Sequence, residues 1–158
     1  MKIVILAGGK GIRIKEFTKT IPKPMIKILN KPLIVHIISH YLRHGFNDFI
    51  IAAGYKNEVI KKYFKTLKKI NSNYTHVINK KKCKIKVIDT GNKTMTGGRI
   101  KRLKNFLDEG KDFMFTYGDG ISNVNLNKLL KSHKRNKKLV TITAVRPPAR
   151  FGEIIIKN

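Results

Sequence analysis

Gly8, Gly9 and Gly11 surround Lys10 and lead into Ile12-Arg13. Glycine lets a backbone approach a polyphosphate closely and offer it several N–H groups. Arg13 adds a planar, permanent cation suited to phosphate oxygens, and Lys10 adds a second positive charge. The loop is no P-loop, since no Gly-Lys-Ser/Thr closes it, and the Gly-x-Gly-x-x-Gly dinucleotide spacing fails as well. Taken alone it also reads as a tight turn. Lys23 stands between Pro22 and Pro24, which stiffen the backbone and can aim its ammonium at a phosphate. A plain surface loop is the alternative. Asp119 stands between Gly118 and Gly120. A carboxylate there can hold Mg²⁺, which takes one or two carboxylates and fills its shell with phosphate oxygens and water. A turn aspartate is the alternative. His36, His40 and His44 recur every four residues, a spacing that can share a metal. No Glu accompanies them as in His-Glu-x-x-His, so a structural role is expected.

The elements that must position these residues follow from hydrophobic spacing. Ile3–Ala7, Phe49–Ala53, Ile85–Ile88 and Phe113–Phe115 are short apolar runs and read as strands. Leu139–Val145, rich in β-branched residues, and Ile154–Ile156 read as two more. Between them run helical stripes: Leu33 to Leu42, Val59 to Leu67, Ile100 to Leu107, and Leu126 to Leu130. Pro32 suits a first helical turn, Gly45 the position past its end, and Asn57 an N-cap. Strands alternating with helices predict βαβ units and a mostly parallel sheet covered on both faces. The Lys-rich stretch 71–84 reads as an irregular excursion. In such a sheet ligands bind beyond the carboxyl ends of the strands. Glycine-bearing loops follow four of the strands: Gly8–Arg13, Gly54–Lys56, Asp89–Arg99 and Thr116–Gly120. Their convergence on one edge says more than any single loop.

In this order the loops resemble those of the sugar nucleotidyltransferases. The first is similar to their G-G-x-G-T-R-L signature, and Pro22-Lys23-Pro24-Met25 to their K-P-K-P-M segment. Asp89-Thr90-Gly91, Met95-Thr96-Gly97-Gly98-Arg99, Thr116–Gly120 and Pro147-Pro148-Ala149-Arg150-Phe151-Gly152 resemble the branch that transfers CMP to glucose 1-phosphate. The resemblance covers the whole chain. It implies a Rossmann-like, three-layer α/β fold over a single domain, 1–158, and a Mg²⁺-dependent transfer of CMP from CTP to α-D-glucose 1-phosphate. CDP-glucose, a precursor of dideoxysugars in surface polysaccharides, and pyrophosphate would be the products. By the same resemblance Leu6, Ala7, Gly8, Gly9, Lys10, Gly11 and Ile12 would contact the nucleotide largely through backbone. Arg13 would stabilise the leaving pyrophosphate, Lys23 would neutralise phosphate charge, Thr94 and Arg99 would contact the nucleotide, and Asp119 would hold Mg²⁺. A homo-oligomer is implied for the full-length enzyme. Ile12 stands where the family has Thr, and Ile21 where it has the first Lys of K-P-K-P. The family's second metal-binding Asp and its Glu-Lys-Pro sugar-side segment lie beyond Asn158. The fold is therefore expected to be incomplete at the C-terminus, and the 158 residues to be an inactive fragment whose strand at 153–157 lacks a partner.

Composition sets the outer bounds. At 158 residues the chain matches about one domain. With 41% apolar and 28% charged residues it is globular in character rather than disordered. Cys83 is its one cysteine, which excludes an intrachain disulfide and a cysteine-cluster metal site. No apolar run approaches a membrane span, and no signal-peptide core precedes Gly8, so a cytoplasmic protein without membrane contact is expected. The net charge of +26 raises nucleic acid as a partner. Yet 28 of the 35 basic residues are Lys, and Ile and Asn are abundant too, the bias that A/T-rich codons produce. Ten lysines and no acid lie from Lys61 to Lys86, without the aromatic interleaving of a single-strand platform. No specific nucleic-acid binding is expected. The remaining alternatives are a nucleotide-binding module without catalysis and a sugar nucleotidyltransferase that uses another nucleotide.

Overall fold

The computed structural model describes residues 1–11, 18–67 and 75–145. The chain divides into two compact units, Met1–Asn123 and Val124–Asn158. In chain order the first unit contains β1 (Lys2–Ala7), a 3₁₀ turn (Lys23–Met25), β2 (Lys27–Ile28), β3 (Lys31–Pro32) and α1 (Leu33–Arg43). Then come β4 (Asp48–Ala53), α2 (Asn57–Thr66), β5 (Thr75–Ile78), β6 (Lys81–Asp89), α3 (Thr96–Arg102), a second 3₁₀ turn (Lys104–Phe106) and β7 (Phe113–Tyr117).

The main sheet runs in the order β5-β6-β4-β1-β7. β1 pairs in parallel with β4 and β7, and β4 in parallel with β6, while β5 joins β6 antiparallel. This is the mostly parallel α/β sheet expected. β1 and β4 are apolar at nearly every position because each is buried on both faces. The register places Ile3, Ile5, Phe49, Ile51 and Ile85 on one face. There Tyr41 of α1 meets Phe49, with ring centroids 6.4 Å apart. Phe64 of α2 meets His76 of β5 at 6.1 Å on the same side. Val4, Leu6, Ile50 and Ala52 point to the other face and pack with Leu103, Ile100, Phe106 and Leu107. Helices on one side and the α3 segment on the other make three layers around β1, and the carboxyl ends of the parallel strands β1, β4, β6 and β7 share one edge.

Several expectations are refined. The stretch 75–84 is a β-hairpin, not an irregular excursion: Asn79 and Lys80 both take positive φ (49° and 62°), the turn that matches strand twist. Leu29 and Asn30 make a similar turn between β2 and β3. Asn57 is the first residue of α2, with Lys56 before it in a left-handed conformation, and its side chain donates to Asp89 Oδ2 at 3.0 Å. Gly45, at φ +88°, ends α1 as expected. The histidines of α1 are structural: His36 Nε2 lies 2.8 Å from the Ile28 carbonyl and His44 Nδ1 lies 3.0 Å from the His40 carbonyl.

In the second unit α4 spans Leu126–Asn136, capped by Asn125, whose side chain accepts from the Lys128 N–H at 3.0 Å. The strand expected at Leu139–Val145 is not formed. Leu139, Val140, Ile142 and Val145 are exposed, and β-branched composition makes no strand without a neighbouring strand to pair with. The expected strand Ile154–Ile156 and the loop Pro147–Gly152 lie outside the described residues. No described helix is long and apolar enough to cross a membrane.

Candidate active site

A cavity of about 420 Å³ opens at the carboxyl edge of the sheet, within the range of small-molecule sites. The β1 strand end and its loop line it through Leu6, Ala7, Gly8, Gly9, Lys10 and Gly11. Lys23 and Pro24 contribute from the 3₁₀ turn, Thr94, Met95, Thr96 and Arg99 from the start of α3, and Tyr117, Gly118 and Asp119 from the end of β7. Every expected site residue among the described ones therefore lines one cavity. Ile12 and Arg13 lie outside the described residues.

Two of the three glycines of the first loop are required, for different reasons. A Cβ on Gly8 would run into the Arg99 guanidinium. Gly11 has φ +63°, and a Cβ there would sit 2.8 Å from Thr18 Cγ2. A Cβ on Gly9 would meet nothing, so open space lies on that side of Gly9.

Lys23 is held over the cavity by its neighbours. Pro22 and Pro24 are buried, and the Met25 N–H donates to the Pro22 carbonyl at 2.8 Å. Gly118 is buried beside them, its N–H donating to the Leu6 carbonyl at 2.9 Å, and a Cβ on it would be 3.0 Å from Pro24 Cγ. That close approach brings Lys23 Nζ to 2.6 Å from Asp119 Oδ2, across 96 residues of sequence. The pair is about one-third exposed (36% and 38%). Among the described residues, Asp119 Oδ1 receives no hydrogen bond, and no group of three His, Cys, Asp or Glu side chains could hold a metal.

Arg99 is placed differently from the other cations. Only 5% of it is exposed. Its Nη2 donates to the Gly8 carbonyl at 2.9 Å, and its Nη1 to Thr90 Oγ1 at 2.6 Å, the Gly91 carbonyl at 2.8 Å and the Ala53 carbonyl at 3.3 Å. Burial lowers its pKa from the usual value, and the Asp89 carboxylate opposes that shift. The loop after β4 does not line the cavity. Its Gly54 serves instead to admit the guanidinium, which a Cβ would strike. Pro24, Met95, Thr96, Tyr117 and Gly118 join the cavity without being expected site residues. All five sit inside the loops that carry the resemblance, and that was the available signal. Tyr117 (55% exposed) and Met95 (81%) offer apolar surface there.

Comparison with known proteins agrees with this geometry. The nucleotidyl transferase family matches residues 2–158. Glucose-1-phosphate cytidylyltransferase of Salmonella typhimurium is 40% identical over 99% of this chain and 65% of its own length. A probable glucose-1-phosphate cytidylyltransferase of Bacillus subtilis is 36% identical over all of this chain and 65% of its own length. The crystal structure of HddC from Yersinia pseudotuberculosis, complexed with GMP-PN, superposes with a TM-score of 0.65 at 27% identity, over 84% of this chain and 53% of that one. The chain thus spans about two-thirds of the length of the curated relatives it matches.

Proposed function

The chain belongs to the nucleotidyl transferase family, and we propose that it serves the transfer of CMP from CTP to α-D-glucose 1-phosphate. The observation that carries this reading is the cavity where the glycine loop, Lys23 and Asp119 meet. The two cytidylyltransferase relatives support the choice of base and sugar.

The chemistry asks little covalent work of the protein. A phosphate oxygen of glucose 1-phosphate attacks the α-phosphorus of CTP. The new P–O bond forms as the bond to the bridging oxygen breaks, and the electron pair leaves on pyrophosphate. Catalysis is then positioning and charge neutralisation. The Gly8–Gly11 backbone receives the phosphates, and Leu6, Ala7 and Thr94 line the same cavity; Ile12 would contact the nucleotide through its backbone. Lys10 and Lys23 offset phosphate charge near the attack, and Arg13 stabilises the leaving pyrophosphate. Asp119 would hold Mg²⁺: among the described residues its Oδ1 receives no hydrogen bond, and a single carboxylate suffices for an ion that also takes phosphate oxygens and water. When bound, the ion neutralises charge that develops on the leaving group. On the same reading the protein acts in the cytoplasm as a homo-oligomer and supplies sugars for surface polysaccharide.

A thermal-shift panel of CTP, dTTP, UTP, GTP and ATP with Mg²⁺ tests the reading. A ligand at a hundredfold excess over its Kd stabilises by about 2.7 kcal/mol, a Tm rise of roughly 5–10 °C at this size. CTP should give the largest rise. A larger rise with another nucleotide overturns the base assignment, and no rise with any overturns the reading.

A further inference from the structure

We propose that Arg99 is the positioning residue of the glycine loop: it sets the Gly8–Gly9 peptide, and through it the backbone donor offered to phosphate. The proposal rests on the nucleotide reading above and gives Arg99, which the resemblance implies would contact the nucleotide, a role that acts on the ligand through the loop.

Arg99 ties three strand ends together. Its guanidinium reaches Gly8 after β1, Ala53 at the end of β4, and Thr90 and Gly91 after β6. The Gly8 carbonyl accepts from Arg99 Nη2 at 2.9 Å and from the Tyr55 N–H at 3.2 Å, so both of its acceptor directions are used. That carbonyl is held from two sides. The Gly8–Gly9 peptide is trans, so the N–H of Gly9, in the same peptide plane, points the opposite way. Gly9 is the loop glycine with open space beside it. A buried arginine is costly where packing alone is needed, since an apolar side chain would serve as well. This one fills space that a Cβ on either Gly8 or Gly54 would strike. Thr90, wholly buried, fixes the guanidinium in turn: its Oγ1 accepts from Nη1 at 2.6 Å and donates to the Ala53 carbonyl at 2.6 Å.

The test uses Arg99→Lys and Thr90→Val, with Mg²⁺-tripolyphosphate and Mg²⁺-CTP as two probes in calorimetric titration. A residue acting through the loop should weaken both ligands by the same factor, about tenfold or more for Arg99→Lys, the loss of one charge-assisted hydrogen bond. Thr90→Val should weaken both in the same ratio by less. If tripolyphosphate binds unchanged while CTP weakens, Arg99 touches the nucleoside directly and the proposal fails. It also fails if neither ligand is affected. A ligand-free readout separates this claim from the nucleotide reading. In the amide NMR spectrum, the Gly9 resonance should move in both variants while those of Ile3 and Ile5 stay fixed. An unmoved Gly9 resonance overturns the proposal even where CTP binds the native protein. Should Arg99→Lys fail to fold, Thr90→Val decides by the same two measurements.

Discussion

Lys23 and Asp119 neutralise one another at 2.6 Å while each remains partly exposed. Pairs of that kind contribute about 0–1 kcal/mol, so a triphosphate and a divalent cation can separate them at little cost. The ammonium then turns to phosphate and the carboxylate to metal. Asp119→Asn should remove the gain in CTP affinity that Mg²⁺ brings, yet leave affinity in EDTA no weaker, because Lys23 is released. Lys23→Met should weaken CTP under both conditions by roughly 10–100-fold, the worth of a hydrogen bond to a charged group. Calorimetric titration with and without Mg²⁺ separates the two, and a weaker EDTA affinity in Asp119→Asn would contradict this exchange of partners. Cys83 makes a second, independent case. Burial raises its thiol from an ordinary 9.0 to about 11. The folded pKa is the higher one, so this contribution is full below pH 9 and is lost as pH rises through 11. Urea melts at pH 7 and pH 10.5 should show a smaller alkaline loss for Cys83→Ala than for the native protein.

At the scale of elements, the β5–β6 hairpin carries a residue poorly matched to its backbone. Lys80 sits at φ +62° in the turn, a conformation that costs an L side chain roughly 1 kcal/mol and glycine almost nothing. Lys80→Gly should therefore raise stability by about 0.5–1 kcal/mol, with a Tm increase of roughly 1–4 °C in calorimetry. Asn79 should be left in place, since its side chain donates to Ser39 Oγ at 2.8 Å. The same hairpin shows what the sequence conceals. β1 and β4 were legible because strands buried on both faces are apolar nearly throughout, and β7 through its short apolar run Phe113–Phe115, although it is half exposed. β6 alternates Cys83, Ile85 and Val87 with Lys82, Lys84 and Lys86, so its period of two was visible, but the lysines made its first half look like loop. Leu139–Val145 misled in the other direction, because β-branched residues record a propensity and not a partner. In the site, the loops and the Lys23 and Asp119 positions could be read from motif order. Arg99's bonds to carbonyls of three separate strand ends could not, since only the folded sheet brings those carbonyls together.

For the molecule as a whole, the charge of +26 invites a nucleic-acid reading that the fold disperses. The lysine run that is continuous in sequence is divided in space. Lys61, Lys62 and Lys65 belong to α2, which covers one face of the sheet, whereas Lys82, Lys84 and Lys86 project from the opposite face. Lys86 is partly occupied there, its Nζ 4.5 Å from the centroid of the Phe106 ring. Dispersed cations attract any polyanion through released counterions, and an encounter with 6–10 phosphates loses about 10³–10⁵ in affinity between 50 and 200 mM salt. A triphosphate inside the cavity lies within a Debye length, about 8 Å at 0.15 M, of Lys10 and Lys23, and is screened far less. Raising NaCl over that range should thus abolish DNA binding, read by fluorescence anisotropy. CTP affinity with Mg²⁺, by contrast, should fall by less than about tenfold, since a few short-range contacts carry it. A DNA complex of fixed stoichiometry that survives 200 mM NaCl would mean that the lysines on one of these faces form a surface matched to a duplex, and that the charge does more than surround the site.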